Sequence, residues 1–194
     1  MPEVREPKKK TSIETKQKIL EKGFELICKK GYHHINCIDI ANYAGVSTGS
    51  IYQYFSNKKD ILISGMNKYL TEIMFPYPKN NTNKTKEEII LEFIEESLKN
   101  HKKYKIQHEE LISIVHQDKE LAKLYQEKEL ELTKEVANYL KENNIILENS
   151  LEKIHIMLSL IDNLSHELTY HHHKELQEQA LITEVIKLIN EILK

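Results

Sequence analysis

Helix breakers stop early in this chain. All five glycines (Gly23, Gly31, Gly45, Gly49, Gly65) and all four prolines (Pro2, Pro7, Pro76, Pro78) precede Lys79, and none follows as far as Lys194. Glycine and proline are the strongest interruptions of regular backbone, so the chain beyond Lys79 is free to be helical, and no strand-like alternation appears there. An all-α fold is expected, with short punctuated elements first and long helices after.

The 194 residues are 40% apolar and 30% charged with a formal charge of −2, the profile of a soluble globular chain of one or two domains. No window approaches the roughly 18 apolar residues of a membrane span, and the start MPEVREPKKKTSIETK lacks a signal-peptide core. Two cysteines, Cys28 and Cys37, are too few for a disulfide framework and lack a CxxC spacing, so a reducing cytoplasm is expected. The charge is uneven. Up to Asp60 there are 11 Lys and Arg against 7 Asp and Glu, and after it 17 against 23. A mildly basic first third points to a polyanionic partner, although the excess alone is weak evidence.

Thr11 with Glu14 reads as a capping box for a helix running to Lys30, stopped by Gly31, with Ile19, Leu20, Phe24 and Ile27 on its apolar face. Asn36 can cap a second helix, Cys37 to Ala44, and Ser47 a third, Thr48 to Tyr54. A fourth, from about Lys58 to Phe75, follows a cap at Ser56 or Asn57, and Pro76 to Thr85 reads as a loop. Thr85 with Glu88 opens an amphipathic helix through Ile89, Ile90, Phe93, Ile94 and Leu98. Further helices are expected at about 104–116, at 119–142 after an Asp118 cap, at 150–173 after Asn149 or Ser150, and at 177–193, with Asn143 and Asn144 in a turn.

Two short helices joined by Gly45, Val46 and Ser47, with a longer helix before them, make a helix-turn-helix, whose second short helix enters the DNA major groove. Gly45 gives the turn its backbone freedom and Val46 plugs the space between the helices. Gly49 inside a helix costs about 1 kcal/mol against alanine, and close approach to a phosphate or base edge would justify it. Thr48, Ser50, Tyr52, Gln53 and Tyr54 offer hydroxyls, phenols and an amide to DNA, with Gln53 the best adenine reader, and Asn36 joins this DNA-facing set. Tyr54 could instead pack against the first helix, and Tyr43 reads as structural. Cys37 reads as a buried small residue rather than a redox sensor. Lys58 is placed to meet a phosphate beside the amides of its helix N-terminus, while Lys59 reads as solvated.

The stretch ILEKGFELICKKGY at 19–32 and IDIANYAGVSTGSIYQYFSNKKDIL at 38–62 resembles the DNA-binding domain of the TetR family of bacterial transcriptional regulators. The resemblance covers about the first 70 residues and departs from the family at Thr48, where lysine is frequent, and at Ile38, where arginine is frequent. It implies a three-helix DNA-binding domain joined by a linking helix to a larger helical domain that binds a ligand and dimerises. In those terms residues 1–10 are a flexible basic arm, 11–60 the helix-turn-helix domain with a linking helix at 58–75, and 61–194 the ligand-binding and dimerisation domain. Lys8, Lys9 and Lys10 could compensate for the missing phosphate charges, or form a solvated tail.

The resemblance also implies a homodimer through the last two helices, with Leu158 and Ile161 on one and Leu181, Val185, Leu188 and Ile192 on the other at the seam. These faces could equally fill the subunit's own core. A cavity between helices would hold a small-molecule effector, with Met66, Phe93, Tyr104 and His116 as candidate lining residues. Tyr125, Met157 and Asn163 complete that set, although a methionine or aromatic at helical spacing also suits plain core. Asp162 and Asn163 form a polar pair in an apolar stretch.

His166, Tyr170 and His173 share a helix face, and His101, His108 and His116 are loosely spaced, but no HExxH or His-x3-His pair occurs. No metal, cofactor or catalytic residue is expected. The function implied is a ligand-responsive regulator, a repressor binding palindromic operator DNA, with an activator as the alternative. A helical metal-dependent enzyme carrying a vestigial helix-turn-helix is the rival from another class.

Overall fold

The helix starts after Asn36, Ser47, Asn57, Thr85 and Asp118 are set by side chains that accept the free amides of a first turn. The computed structural model describes residues 7–74, 85–171 and 173–194, and the described residues are helical without strands. The chain divides into two compact units, one of residues 1–70 with 106–124, the other of 71–105 with 125–194.

The first unit contains α1 (Lys10–Lys30), a short 3-10 turn (Tyr32–His34), α2 (Cys37–Ala44), α3 (Thr48–Tyr54) and α4 (Lys58–Tyr69). It also takes most of α6 (Lys105–Val115) and the start of α7 (Lys119–Glu142). α4 thus belongs to this unit, as does a later segment far away in sequence.

The α1 start also differs from expectation. The helix begins at Lys10 after Lys9, whose carbonyl accepts from the Ser12 and Ile13 amides, so Thr11 lies inside the first turn and makes no capping box with Glu14. Lys10 is accordingly helical rather than part of an arm. At the other end Gly31 adopts φ 87°, where a side chain would be strained, and its amide closes on the Ile27 carbonyl at 2.8 Å.

α1 packs against both α2 and α4. Ile19, Ile27, Ile40, Ile51, Ile61, Leu62 and Met66 are fully buried in this unit, each contributing about 1.5–3 kcal/mol. Two glycines allow the helices to approach: a Cβ on Gly23 would come within 2.8 Å of Ile61 Cγ2, and one on Gly65 within 2.3 Å of Phe24 Cδ2.

α4 ends as an α-helix at Tyr69 and continues as a π-helical turn, Leu70–Met74. The expected end at Phe75 and the loop from Pro76 lie outside the described residues, save for Thr85. There the capping box is formed: Glu88 N donates to Thr85 Oγ1 at 3.2 Å and Thr85 N to Glu88 Oε2 at 2.8 Å.

In the second unit α5 (Lys86–Lys103) and α8 (Ser150–His166) pack together, and α9 (Glu178–Ile192) contacts both. Their shared core holds Ile89, Ile90, Val136, Ile154, Met157, Ile161 and Ile189. Tyr104 ends α5 with φ −112° and ψ 28°, so α6 begins a residue later than expected. α7 matches its expected span, with Asp118 Oδ1 accepting from Glu120 N at 2.9 Å. α8 stops at His166, and a π-helical turn, Glu167–His171, replaces the rest of the expected helix. Asn149 sits in the left-handed region at φ 52° and makes no side-chain cap.

Candidate nucleic-acid interface

The turn between α2 and α3 is built from its own sequence. Asn36 Oδ1 accepts from Ile38 N at 2.8 Å and Asp39 N at 3.1 Å, and Asp39 Oδ2 accepts in return from Asn36 N at 2.8 Å. This reciprocal box leaves the second helix's first amides satisfied without outside help. At the far end Gly45 is left-handed, φ 63° and ψ 45°, and Val46 N closes on Ala41 O at 3.0 Å. Ser47 Oγ then accepts from Ser50 N at 3.1 Å and opens α3.

α3 has two distinct sides. Ile51 and Tyr54 are buried, as is Phe55 just beyond the helix, while Gly49, Tyr52 and Gln53 are exposed and Thr48 and Ser50 half-buried. Tyr54, only 5% exposed, is a core residue and leaves the DNA-facing set, because a buried ring has no surface to offer a groove. A Cβ on Gly49 would meet nothing closer than Ser47 Oγ at 3.8 Å, so nothing inside the unit requires a glycine there. A hydrogen bond with Cys37 at the start of α2 raises the pKa of the Tyr52 phenol. Cys37 is half-buried rather than buried. Tyr43 is structural as expected: its hydroxyl donates to Glu25 Oε1 at 2.5 Å.

Of the two lysines after the motif, Lys58 is partly engaged by the fold and Lys59 is not solvated as expected. Lys58 Nζ donates to Tyr32 O at 2.6 Å and Ile35 O at 2.7 Å, and lies 4.3 Å from the Tyr32 ring centre. Two of its three ammonium hydrogens thus tie α4 to the turn after α1, leaving one for a phosphate. Lys59, expected to be solvated, is clamped between Asp118 Oδ2 at 2.7 Å and Glu120 Oε2 at 2.8 Å. These carboxylates raise the Lys59 pKa, and Lys59 in turn lowers that of Asp118. The Asn36 and Asp39 box was readable as an N-cap with an acid three residues on. The Lys59 clamp joins residues too distant in sequence for any spacing rule.

The second unit holds cavities. One of about 320 Å³ is lined by Tyr125, Glu129, Leu132, Leu158, Asp162, Asn163 and His166, and a small neighbour of about 50 Å³ by Phe93, Ser97, Leu158, Ile161 and Asp162 among others. Of the expected lining residues, Phe93, Tyr125 and Asn163 face these spaces. The others do not. Met66 is in the core of the first unit, His116 is exposed on that unit, Met157 is in the second unit's core, and Tyr104 is the break between α5 and α6. Among the expected seam residues, Ile161 is 3% exposed and filled into its own unit's core, which removes it from a seam. Leu158, Leu181 and Val185 are partly buried against that core and Ile192 is half-buried, while Leu188 is 53% exposed.

A tight αL turn, a capped recognition helix with an exposed polar side and a three-helix support define the class of helix-turn-helix DNA-binding domains. The model of bacterial regulatory proteins of the tetR family matches residues 19–64. Over those 46 residues the N-terminal domain of this chain is thus similar to the tetR-family regulators.

Among curated relatives, the fatty acid metabolism regulator protein of Bacillus subtilis (strain 168) is 50% identical over 46 residues, 24% of each chain. The match thus spans about a quarter of that relative's length. Solved structures share the fold over nearly the whole chain. The fatty acid degradation regulator FadR from Bacillus halodurans aligns with TM-score 0.65 at 21% identity, covering 95% of this chain and 96% of that one. A protein from Saccharomonospora viridis solved in complex with choline aligns with TM-score 0.67 at 18% identity, covering 92% and 96%.

Proposed function

We propose that this chain is a ligand-responsive transcriptional regulator, a repressor that binds an inverted-repeat operator as a homodimer and leaves it when a small molecule occupies the second unit. The exposed α3 side carries this reading, above all Gly49, whose missing side chain serves no contact within the protein. Thr48, Ser50, Tyr52 and Gln53 are the residues proposed to meet DNA, with Asn36 and the free hydrogen of Lys58 at phosphates. Catalysis has no part in this reading, and the place of action is the cytoplasm.

For the effector, Leu132, Leu158, Phe93 and Ile161 give an apolar lining, and Asp162, Asn163 and Tyr125 a polar end. Two similar proteins are named as fatty acid regulators, which supports an acyl compound as the class to try first. Exposed Leu188 on α9 and Ile156 on α8, 53% and 51% accessible, support a seam through the last two helices.

Selection of random duplex DNA on the purified protein tests the reading. Enrichment of an inverted repeat, bound more weakly as salt rises and released by acyl compounds, supports it. Absence of any preferred sequence from folded dimer refutes it. On the selected site, Gln53→Ala is expected to relax discrimination at one base pair in each half by about 1–3 kcal/mol, read by competition with single-base variants.

A further inference from the structure

We propose that the second unit binds a divalent first-row transition metal through His101, Asp162 and His166. The three come from two packed helices: His101 from the last turn of α5, and Asp162 and His166 from one face of α8, a turn apart. One donor atom from each lies within 4.8 Å of the others. Two imidazoles with one carboxylate suit zinc, cobalt, nickel and iron rather than magnesium or calcium.

The hydrogen bonding of His101 sets it up as a ligand. Its ring is 1% exposed, and Nδ1 lies 2.9 Å from the Ser97 carbonyl oxygen. A carbonyl only accepts, so Nδ1 carries the proton and the Nε2 lone pair is directed elsewhere. Nε2 is 3.2 Å from Asp162 Oδ1. A lone pair and a carboxylate oxygen at that separation are two donors that one metal ion can bind together. The Nδ1 bond to a backbone carbonyl is the support that metal-bound histidines ordinarily have. The Ser97 hydroxyl is itself held by Ser165 Oγ at 2.8 Å, which stiffens the turn beneath His101.

His166 adds a second imidazole to this place: its ring packs against that of His101, centroids 5.1 Å apart at 70°, and its donor atom lies within the same 4.8 Å cluster as that of Asp162. Asp162 and His166 also line the 320 Å³ cavity beside Asn163 and Tyr125, which gives an ion a route to them. Single-chain spacing hid this set, because His101 is far in sequence from the other two. The expected partner of His166, His173, instead pairs with Glu167 beyond the end of α8.

The test uses the full chain, freed of metal by chelation and dialysis, titrated with Co2+ and then Zn2+. One Co2+ per chain should bind with visible ligand-field absorption, be displaced by Zn2+, and raise the melting temperature. Asp162→Asn and His166→Gln, each checked for an unchanged circular dichroism spectrum, should weaken Co2+ binding at least about 100-fold. The double variant His171→Asn/His173→Asn should bind as the parent does. Absence of saturable binding, parental affinity in Asp162→Asn and His166→Gln, or loss of the signal only in the His171 and His173 variant would each overturn the proposal. The result stands apart from DNA binding, since a metal site can exist whether or not the operator reading holds.

Discussion

At the scale of single residues, the same side chain often faces a choice between the fold and the ligand. Gly49 is the clearest case, since the structure leaves open space where its Cβ would be. Gly49→Ala should therefore raise unfolding free energy by about 0.5–1 kcal/mol in urea while weakening DNA binding. Unchanged DNA affinity would remove the reason assigned to this glycine. Tyr54 shows the opposite outcome, placed by sequence where DNA would lie and buried in its own domain, while Lys58 gives two of its three hydrogens to that domain and keeps one. The Lys59 clamp has a pH signature. Asp118 has its folded pKa lowered, so its contribution is present above the ordinary carboxylate value near about 4 and is lost as pH falls through the folded value. Lys59 is raised, so its contribution holds below the ordinary lysine value near about 10.4. Asp118→Asn should thus be less stable than the parent by a constant margin from about pH 5 to 9, and the margin should close below about pH 4. A margin that varied across the neutral range would contradict the clamp.

At the scale of elements, local chemistry decides where helices start more reliably than where they stop. Asn36 with Asp39, Ser47, Asn57 and Thr85 with Glu88 all take the amides that their positions suggest. Asn36→Ala is expected to cost about 1 kcal/mol in urea unfolding, with Asn36→Ser recovering most of it. No loss would mean that Asp39 alone holds the turn. Helix ends behave differently: α4 and α8 both pass into π-helical turns, at Leu70–Met74 and Glu167–His171, where no glycine or proline marks the change. Buried Leu168 and Thr169 show that packing accommodates the wider turn in the second of these. A single extra residue per turn is decided by what the neighbouring helix requires, and the local sequence carries no sign of it.

At the scale of the molecule, the proposed assembly and internal packing draw on the same apolar faces. Ile161 is taken by its own core while Leu188 remains exposed, so Leu188→Glu should leave each subunit folded and shift the protein to monomer in sedimentation equilibrium. Retention of the dimer would place the seam elsewhere. The all-helical class, the caps, the αL turn at Gly45 and the exposed side of α3 followed from sequence, because each depends on residues within a few positions of one another. Other features needed the tertiary structure. The return of residues 106–124 to the first unit, the Lys59 clamp to Asp118 and Glu120, and the meeting of His101 with Asp162 and His166 all join distant segments. Hydrogen-bond geometry at a helix end is local and leaves its mark in the order of residues. Which buried faces meet depends on the packing of the whole chain, where many arrangements satisfy the same apolar pattern and only the shapes of the side chains select one.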